Sequence, residues 1–282
     1  MNQEIRWYGA ILDSIYTGIR ILTLSDLHKG SPFSSVPHFL RTLKFVGDND
    51  DCRLVFAGDL MDTALKNSKS DVYGQTETPK QQKEWLIETL KPYATKILGM
   101  CTGNHENRVA RDTSFDPTEE IATALGVPYR PEGILLKIMF GSGNSSHVDR
   151  PFVFWQYSTH GYGGARTKSA KAVKVERTST FIQADVYTMS HDHSVNVAPD
   201  ITLIPDNRGT LDEKTGFTTG LVKERRKMLV KTNAFLKWGG YGEMGGFSPT
   251  DLSTPVIYLL TPKSEYWNLF PEDPRQTVKV LA

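Results

Sequence analysis

Asp26-Leu27-His28, Gly58-Asp59-Leu60-Met61-Asp62, Gly103-Asn104-His105-Glu106, His160-Gly161 and His191-Asp192-His193 follow one another along the chain, and five of its seven histidines sit in these blocks. Asp26 and Asp59 offer carboxylate oxygens, Asn104 a neutral amide oxygen, and His28, His160, His191 and His193 imidazole nitrogens. Asp26 and His28 stand two apart at the end of an apolar run, where a bend in the backbone could bring both to one ion. Asp59 follows another such run, and a carboxylate can bridge two cations through its separate oxygens. Together the donors suit two divalent ions better than one. With no thiolate among them, Mn²⁺ is the expected metal, and Zn²⁺, Fe or Mg²⁺ also fit.

Two close cations lower the pKa of a water between them, polarise a phosphoryl oxygen and stabilise both the entering and the departing oxygen of an in-line displacement. Phosphate-ester hydrolysis is therefore the natural reaction. The departing alkoxide needs a proton, and His105, beside Asn104, is the histidine left to give it. Asp62 could hold that imidazole protonated by accepting its other N–H. Each fragment alone arises by chance in many chains; only the ordered set is specific. His38 and His147, outside the blocks, read as surface or helix residues.

The set resembles the calcineurin-like metallophosphoesterase superfamily, whose signature blocks are Asp-x-His, Gly-Asp-x-x-Asp, Gly-Asn-His-Asp/Glu, His and Gly-His-x-His. The likeness runs over roughly residues 19–195. It implies a four-layer α/β/β/α sandwich of two mixed sheets flanked by helices, with a dimetal site where the carboxyl ends of the strands meet. It also implies one metal held by Asp26, His28, Asp59 and His193, a second held by Asp59, Asn104, His160 and His191, His105 as general acid and Asp62 as its partner. The last block departs from the pattern: Ser190 stands where glycine is usual, and Asp192 fills the middle position. Serine fits only if that backbone position avoids positive φ, and Asp192 either tunes an imidazole or faces solvent. Gly58-Asp59-Leu60-Met61-Asp62-Thr63 does not continue into the Asp-Arg-Gly of the serine/threonine protein phosphatases, which argues against a phosphoprotein substrate.

The elements that carry the blocks alternate in the first half: strands at 19–25, 53–57 and 95–102, helices at 36–46 and 81–90. That rhythm is α/β. Asp116 caps and Pro117 starts a helix through residue 124, which Gly126 stops. Strands at 134–140 and 152–159 read as a hairpin, followed by a helix at 168–182, a strand at 185–190, and short strands around 195, 201, 227–236 and 256–260. Residues 66–79 form a long polar loop directly after the Asp59 block, of the length that lids have. No repeat interrupts the chain, and the blocks span both halves, so residues 1–282 are expected to form one domain.

With 39% apolar residues the chain can bury a sizeable core, and it shows neither a leader nor an apolar stretch long enough to span a bilayer. A cytoplasmic protein without a membrane partner is expected. Cys52 and Cys101 each sit inside an apolar segment and read as buried packing residues. A net charge of +1 excludes a wholly basic nucleic-acid glove, leaving local clusters to consider. Lys223 to Lys227 reads as a solvated face. The run from Arg166 to Arg177 leaves His160 through a glycine-rich turn, so Arg166 and Lys168 could bind an anionic substrate near the metals. Tyr162 in that turn, like Tyr73, Trp155 and Tyr157, could stack a base. The glycine and aromatic segment 238–247 has no assigned place. The expected activity is a phosphodiesterase acting on nucleic acid or nucleotides. The alternatives are a phosphomonoesterase, including a protein phosphatase, and a non-catalytic scaffold.

Overall fold

Gly-Ile-Arg-Ile-Leu-Thr-Leu is apolar at nearly every position, the pattern of a strand covered on both faces. In the computed structural model, which describes residues 5–66, 68, 71–144, 149–239, 243, 246, 248–249, 252–270 and 277–282, this segment is the middle strand of a sheet. Strand β2 (Gly18–Leu24) pairs in parallel with β3 (Cys52–Ala57), which pairs in parallel with β4 (Ile97–Cys101). On the other side β10 (Val256–Leu260) and then β11 (Val278–Leu281) add antiparallel strands. The second sheet runs β1 (Trp7–Ile11), β5 (Ile134–Phe140), β6 (Phe152–Thr159), β7 (Val186–Met189), β9 (Thr218–Lys231), β8 (Asn196–Leu211).

Side chains alternate across these strands and sort the core into three layers. Ile19, Ile21 and Val55 point between the sheets, against Ile134, Leu136, Ile138, Phe140, Val186 and Val230. Leu22, Leu24, Leu54 and Phe56 point outward and are covered by α1 (Val36–Asp48), α2 (Pro79–Leu90) and α4 (Pro117–Leu125) through Phe39, Leu43, Leu86, Leu90 and Ile121. On the far face, Tyr157, Tyr187 and Leu229 pack under α5 (Lys168–Phe181) through Val175. The architecture is a four-layer α/β/β/α sandwich with two mixed sheets.

Local chemistry sets the helix ends. Thr78 and Gln81 cap α2 reciprocally, and Asp116 accepts from the N–H groups of Thr118 and Glu119 at 2.9 and 3.2 Å. Gly126 closes α4 at φ 68°. α3 (Asn104–Thr113) was not expected: Asn-His-Glu-Asn-Arg is too polar to show a helical stripe, and the helix buries only Glu106 and Val109. Residues 91–96 form a 3₁₀ turn, so the third parallel strand begins at Ile97 rather than residue 95.

The short strands expected around 195, 201 and 227–236 are instead two long ones, β8 and β9, joined as a ribbon. Its outer half is exposed, and Pro199, Pro205 and the charges of 223–227 break up the apolar alternation that marks a strand. The edge strands β1 and β11 also escape the sequence pattern. His38 lies on α1 beside the Phe235 ring, at 5.0 Å, and His147 falls outside the described residues. Cys52 and Cys101 are free and buried, and burial pushes their thiols up to about 11 and about 12. Among the described residues no helix is long and apolar enough to cross a membrane.

The ribbon's outer half carries little of the core. Replacing residues 204–223 by an Asn-Gly turn should change unfolding free energy in urea by less than about 1 kcal/mol. Phe39→Ala, at a fully buried ring, should cost about 3–5 kcal/mol.

Candidate metal centre

Parallel β2, β3 and β4 end at one edge of their sheet, and each is followed at once by a block: Asp26 and His28, Asp59 and Asp62, Asn104 and His105. Parallel β6 and β7 of the second sheet deliver His160, then His191 and His193, to the same place. The backbone must turn sharply there to aim each side chain inward. Asp26, His28, Asp59, His191 and His193 have φ of 51°, 49°, 50°, 72° and 48°, and only Thr63 and Ser114 join them among described non-glycine residues. Such left-handed positions cost energy and persist where surrounding contacts over-determine them.

Those contacts are backbone hydrogen bonds between blocks. Asp26 N donates to Gly58 O at 3.1 Å, His28 N to Asp59 O at 3.0 Å, and Asp62 N to Lys29 O at 2.9 Å. Glu106, fully buried, accepts from the N–H groups of Asp59, Met61 and Gly103 at 3.0, 2.9 and 3.1 Å. Burial, with Asp59 nearby, lifts its carboxyl to about 7. Gly58 faces Gly103 so closely that a Cβ on Gly58 would stand 2.2 Å from the Gly103 nitrogen.

The donors converge with too few protons to satisfy one another. His160 Nδ1–H donates to Ala57 O at 2.8 Å and His191 Nε2–H to Gly163 O at 2.5 Å, so in the neutral form of each ring the other nitrogen keeps a lone pair. Around His160 Nε2 lie Asn104 Oδ1 at 3.0 Å, His191 Nδ1 at 3.1 Å and Asp59 Oδ2 at 3.1 Å. A proton there serves one neighbour; a divalent cation serves all four groups. In the adjoining group, buried Asp26 Oδ1 has no aligned hydrogen-bond donor and lies 3.2 Å from His193 Nε2 and 3.9 Å from His28 Nε2. His28 Nε2 and His193 Nε2 are 3.4 Å apart. Among the described residues, three overlapping sets could each hold a cation: Asp26, His28 and His193; His28, Asp59 and His105; Asp59, His160 and His191.

Electrostatics point the same way. Burial opposes ionising Asp26 and Asp59, yet His193 on the first and His160 on the second hold both below the usual carboxylate range. Burial resists charging His160, but Asp59 and Asp26 raise it to about 10. Burial instead pushes His28 and His191 down, which favours their neutral imidazoles. The field is built for positive charge.

His105 sits beside this cluster. Its Nδ1 is 2.7 Å from Asp62 O and 3.2 Å from Asp62 Oδ1, and its Nε2 lies 3.9 Å from Asp59 Oδ2. Burial works against its charge, while Asp59 and Asp62 raise its pKa. Asp62 Oδ1 is also 3.4 Å from His28 Nδ1, so one carboxylate orients a ligand candidate and the acid candidate together.

The residues expected to bind substrate follow His160 along the chain, on the turn whose Gly163 carbonyl touches His191. Arg166, Lys168 and Tyr162 are exposed on the turn after His160 and at the start of α5. The inner lysines of the same basic run are turned inward: Lys171 donates to Asp192 O at 2.8 Å and Lys174 pairs with Asp192 Oδ1 at 2.6 Å. Fully buried Lys231 pairs with Asp192 Oδ2 and donates to Ser190 O, both at 2.7 Å. Asp192 therefore does not face solvent. Ser190 avoids positive φ and shares a hydrogen bond with Thr232 at 2.8 Å, so the left-handed positions fall on its histidine neighbours instead.

Sequence reading missed three contributors. Glu106 could have been found as an acidic residue in the first turn of a helix that starts behind a glycine. Arg108 stands four residues after Asn104 on α3 and lies in the field of Asp59, Asp62 and Glu106. Gln75, in the 66–79 loop, donates its amide to Asp62; nothing local marks it.

No family model matches the chain, and no curated protein does. Solved structures similar to it include a conserved, predicted phosphoesterase from Streptococcus pneumoniae, with 12% identity over 86% of this chain and 84% of that one and a TM-score of 0.36. Another is GAP50, the anchor in the inner membrane complex of Plasmodium, with 12% identity, 87% and 82% covered and a TM-score of 0.38. A third is a protein serine/threonine phosphatase from Saccharomyces cerevisiae with similarity to human phosphatase PP5, with 12% identity, 98% and 82% covered and a TM-score of 0.37. What the chain can do follows from its own geometry: an α/β/β/α sandwich carrying a histidine and carboxylate centre at its strand ends.

Equilibrium dialysis against Mn²⁺ with elemental analysis should find two ions per chain, and fewer in Asp26→Asn; equal content would remove Asp26 from the centre. Glu106→Ala, which strips three buried N–H groups of their acceptor, should cost about 3 kcal/mol in denaturant unfolding.

Proposed function

We propose that this chain is a metal-dependent phosphodiesterase of the calcineurin-like superfamily, acting on nucleic acids or nucleotides. The observation that carries the reading is the convergence of carboxylate, amide and imidazole donors from five strand ends beside His105. Asp26, His28 and His193 would hold one cation, Asn104, His160 and His191 the other, and Asp59 would reach both. Two Mn²⁺ ions bound there would supply Lewis acidity to the phosphoryl group and its entering oxygen.

The chain's own residues do the rest. Asp62 takes the Nδ1–H of His105, which leaves the proton on Nε2 for the departing alkoxide. With its pKa raised by Asp59 and Asp62, His105 keeps that proton to higher pH than an ordinary histidine. Ala57 O and Gly163 O fix the ring orientations of His160 and His191, so neither needs to reorganise on binding.

Charge supports a diester over a monoester. Lys171, Lys174 and Lys231 are committed to Asp192 and cannot clamp a second phosphate charge. Arg108, on α3, feels the charges of Asp59, Asp62 and Glu106, and a diester monoanion asks for no more than one such cation.

With Mn²⁺, turnover of bis(p-nitrophenyl) phosphate should exceed that of p-nitrophenyl phosphate; the reverse ratio would establish a monoesterase. His105→Ala should lower kcat by about 10²–10⁴-fold, and Asp59→Asn should abolish turnover. Full activity in both would overturn the assignment of the centre. Because the acid must be protonated and its pKa is raised, kcat should fall only as pH rises past a value above 6.5. Asp62→Asn should move that limb to lower pH.

A further inference from the structure

We propose that residues 71–77 form the subsite for the departing alcohol, with Tyr73 as a platform on which a nucleobase of that alcohol stacks. The inference rests on the phosphodiesterase reading and names the side of the substrate that the chain recognises.

The direction comes from proton transfer. The oxygen that receives the His105 proton belongs to the leaving group, so the leaving group lies on the side of His105 and Asp62. Residues 75–77 are anchored on that side. Gln75 donates its amide to Asp62, and its Oε1 accepts from Gln82 Nε2 at 2.8 Å. Fully buried Gln82 also donates to Glu77 O at 2.8 Å and accepts from Thr63 N at 3.1 Å. Thr76 N and Oγ1 donate to Gly30 O at 2.9 and 3.1 Å, and Glu77 pairs with Lys29. Residues 75–77 are thus fastened to the chain just after Asp26-Leu27-His28 and just after Asp59.

Tyr73 precedes that anchor by two residues, so its Cα lies within roughly 7 Å of that of Gln75. Asp71 Oδ1 accepts from Tyr73 N at 2.9 Å and fixes the turn that presents the ring. Tyr73 as a whole is 99% exposed. The other aromatics near the blocks are engaged: Trp155 packs edge-on against Trp7 at 5.8 Å, Tyr157 is buried, and Tyr162 has the Lys174 ammonium 6.0 Å from its ring. An open aromatic residue two positions from the anchor on Asp62 has the form of a stacking surface, which accepts any base because every base has a π face.

The test compares a dinucleoside monophosphate with the matching nucleoside methyl phosphate, read by methanol release. Both are diesters, but only the first releases an alcohol carrying a base. In the full-length Mn²⁺-loaded protein, Tyr73→Ala should raise the ratio of KM for the dinucleotide to KM for the methyl ester about tenfold. Tyr73→Phe, which keeps the ring, should restore the ratio. Phe217→Ala, at an exposed ring of the β8–β9 ribbon, is the control. A ratio unmoved by Tyr73→Ala, or moved equally by Phe217→Ala, overturns the subsite alone. No turnover of either ester by the unmodified protein overturns the phosphodiesterase reading and the subsite with it.

Discussion

The Glu106 carboxylate accepts hydrogen bonds from the backbone N–H groups of Asp59, Met61 and Gly103, and this contact ties two strand ends into one unit. Without it the turn after β3 and the start of α3 would present three buried donors with no acceptor. With it, Asp59 can hold a left-handed backbone while its own Oδ1 accepts from His105 N at 2.8 Å. The carboxylate best placed to bridge two ions is therefore held by its backbone and braced through its side chain. Gly58 and Gly103 exist for the same reason, since no side chain fits where those two turns touch.

The far side of the centre is braced by charge rather than by backbone. His191 and His193 flank Asp192, and both adopt left-handed φ. Asp192 draws ammonium groups from α5 and β9 onto itself, with Lys231 fully buried. Burying such a cluster carries a large desolvation cost, and removing one partner would leave charges uncompensated in the interior. That penalty locks the turn in place. It also explains how Ser190 and Asp192 depart from the Gly-His-x-His block that the sequence resembles without displacing the histidines: the strain sits on His191 and His193, and the serine keeps an ordinary φ.

Much of the frame was legible in the residues. The parallel strands of the first half announce themselves because they are buried on both faces and so apolar throughout, and α4 is bracketed by a capping aspartate, a proline and a glycine. The β8–β9 ribbon was not legible at its true length. The outer half of the ribbon covers no core and so needs no apolar alternation, and hydrogen bonding between its strands leaves no trace in composition. α3 was hidden for the opposite reason: it serves the centre, so its residues are chosen for chemistry over a buried stripe.

By itself the sequence determined the donor inventory: which residues have lone pairs for a cation, in what order, and which histidine was left over. Those follow from side-chain chemistry, which is local. Tertiary structure alone decided that His160 Nε2 faces three other acceptors, that the lysines after His160 turn inward to Asp192, and that Gln75 reaches back to Asp62. The reason is geometric: hydrogen bonds and ion pairs depend on distances between segments far apart in the chain. A run of lysines reads the same whether its charges meet a substrate or a buried aspartate.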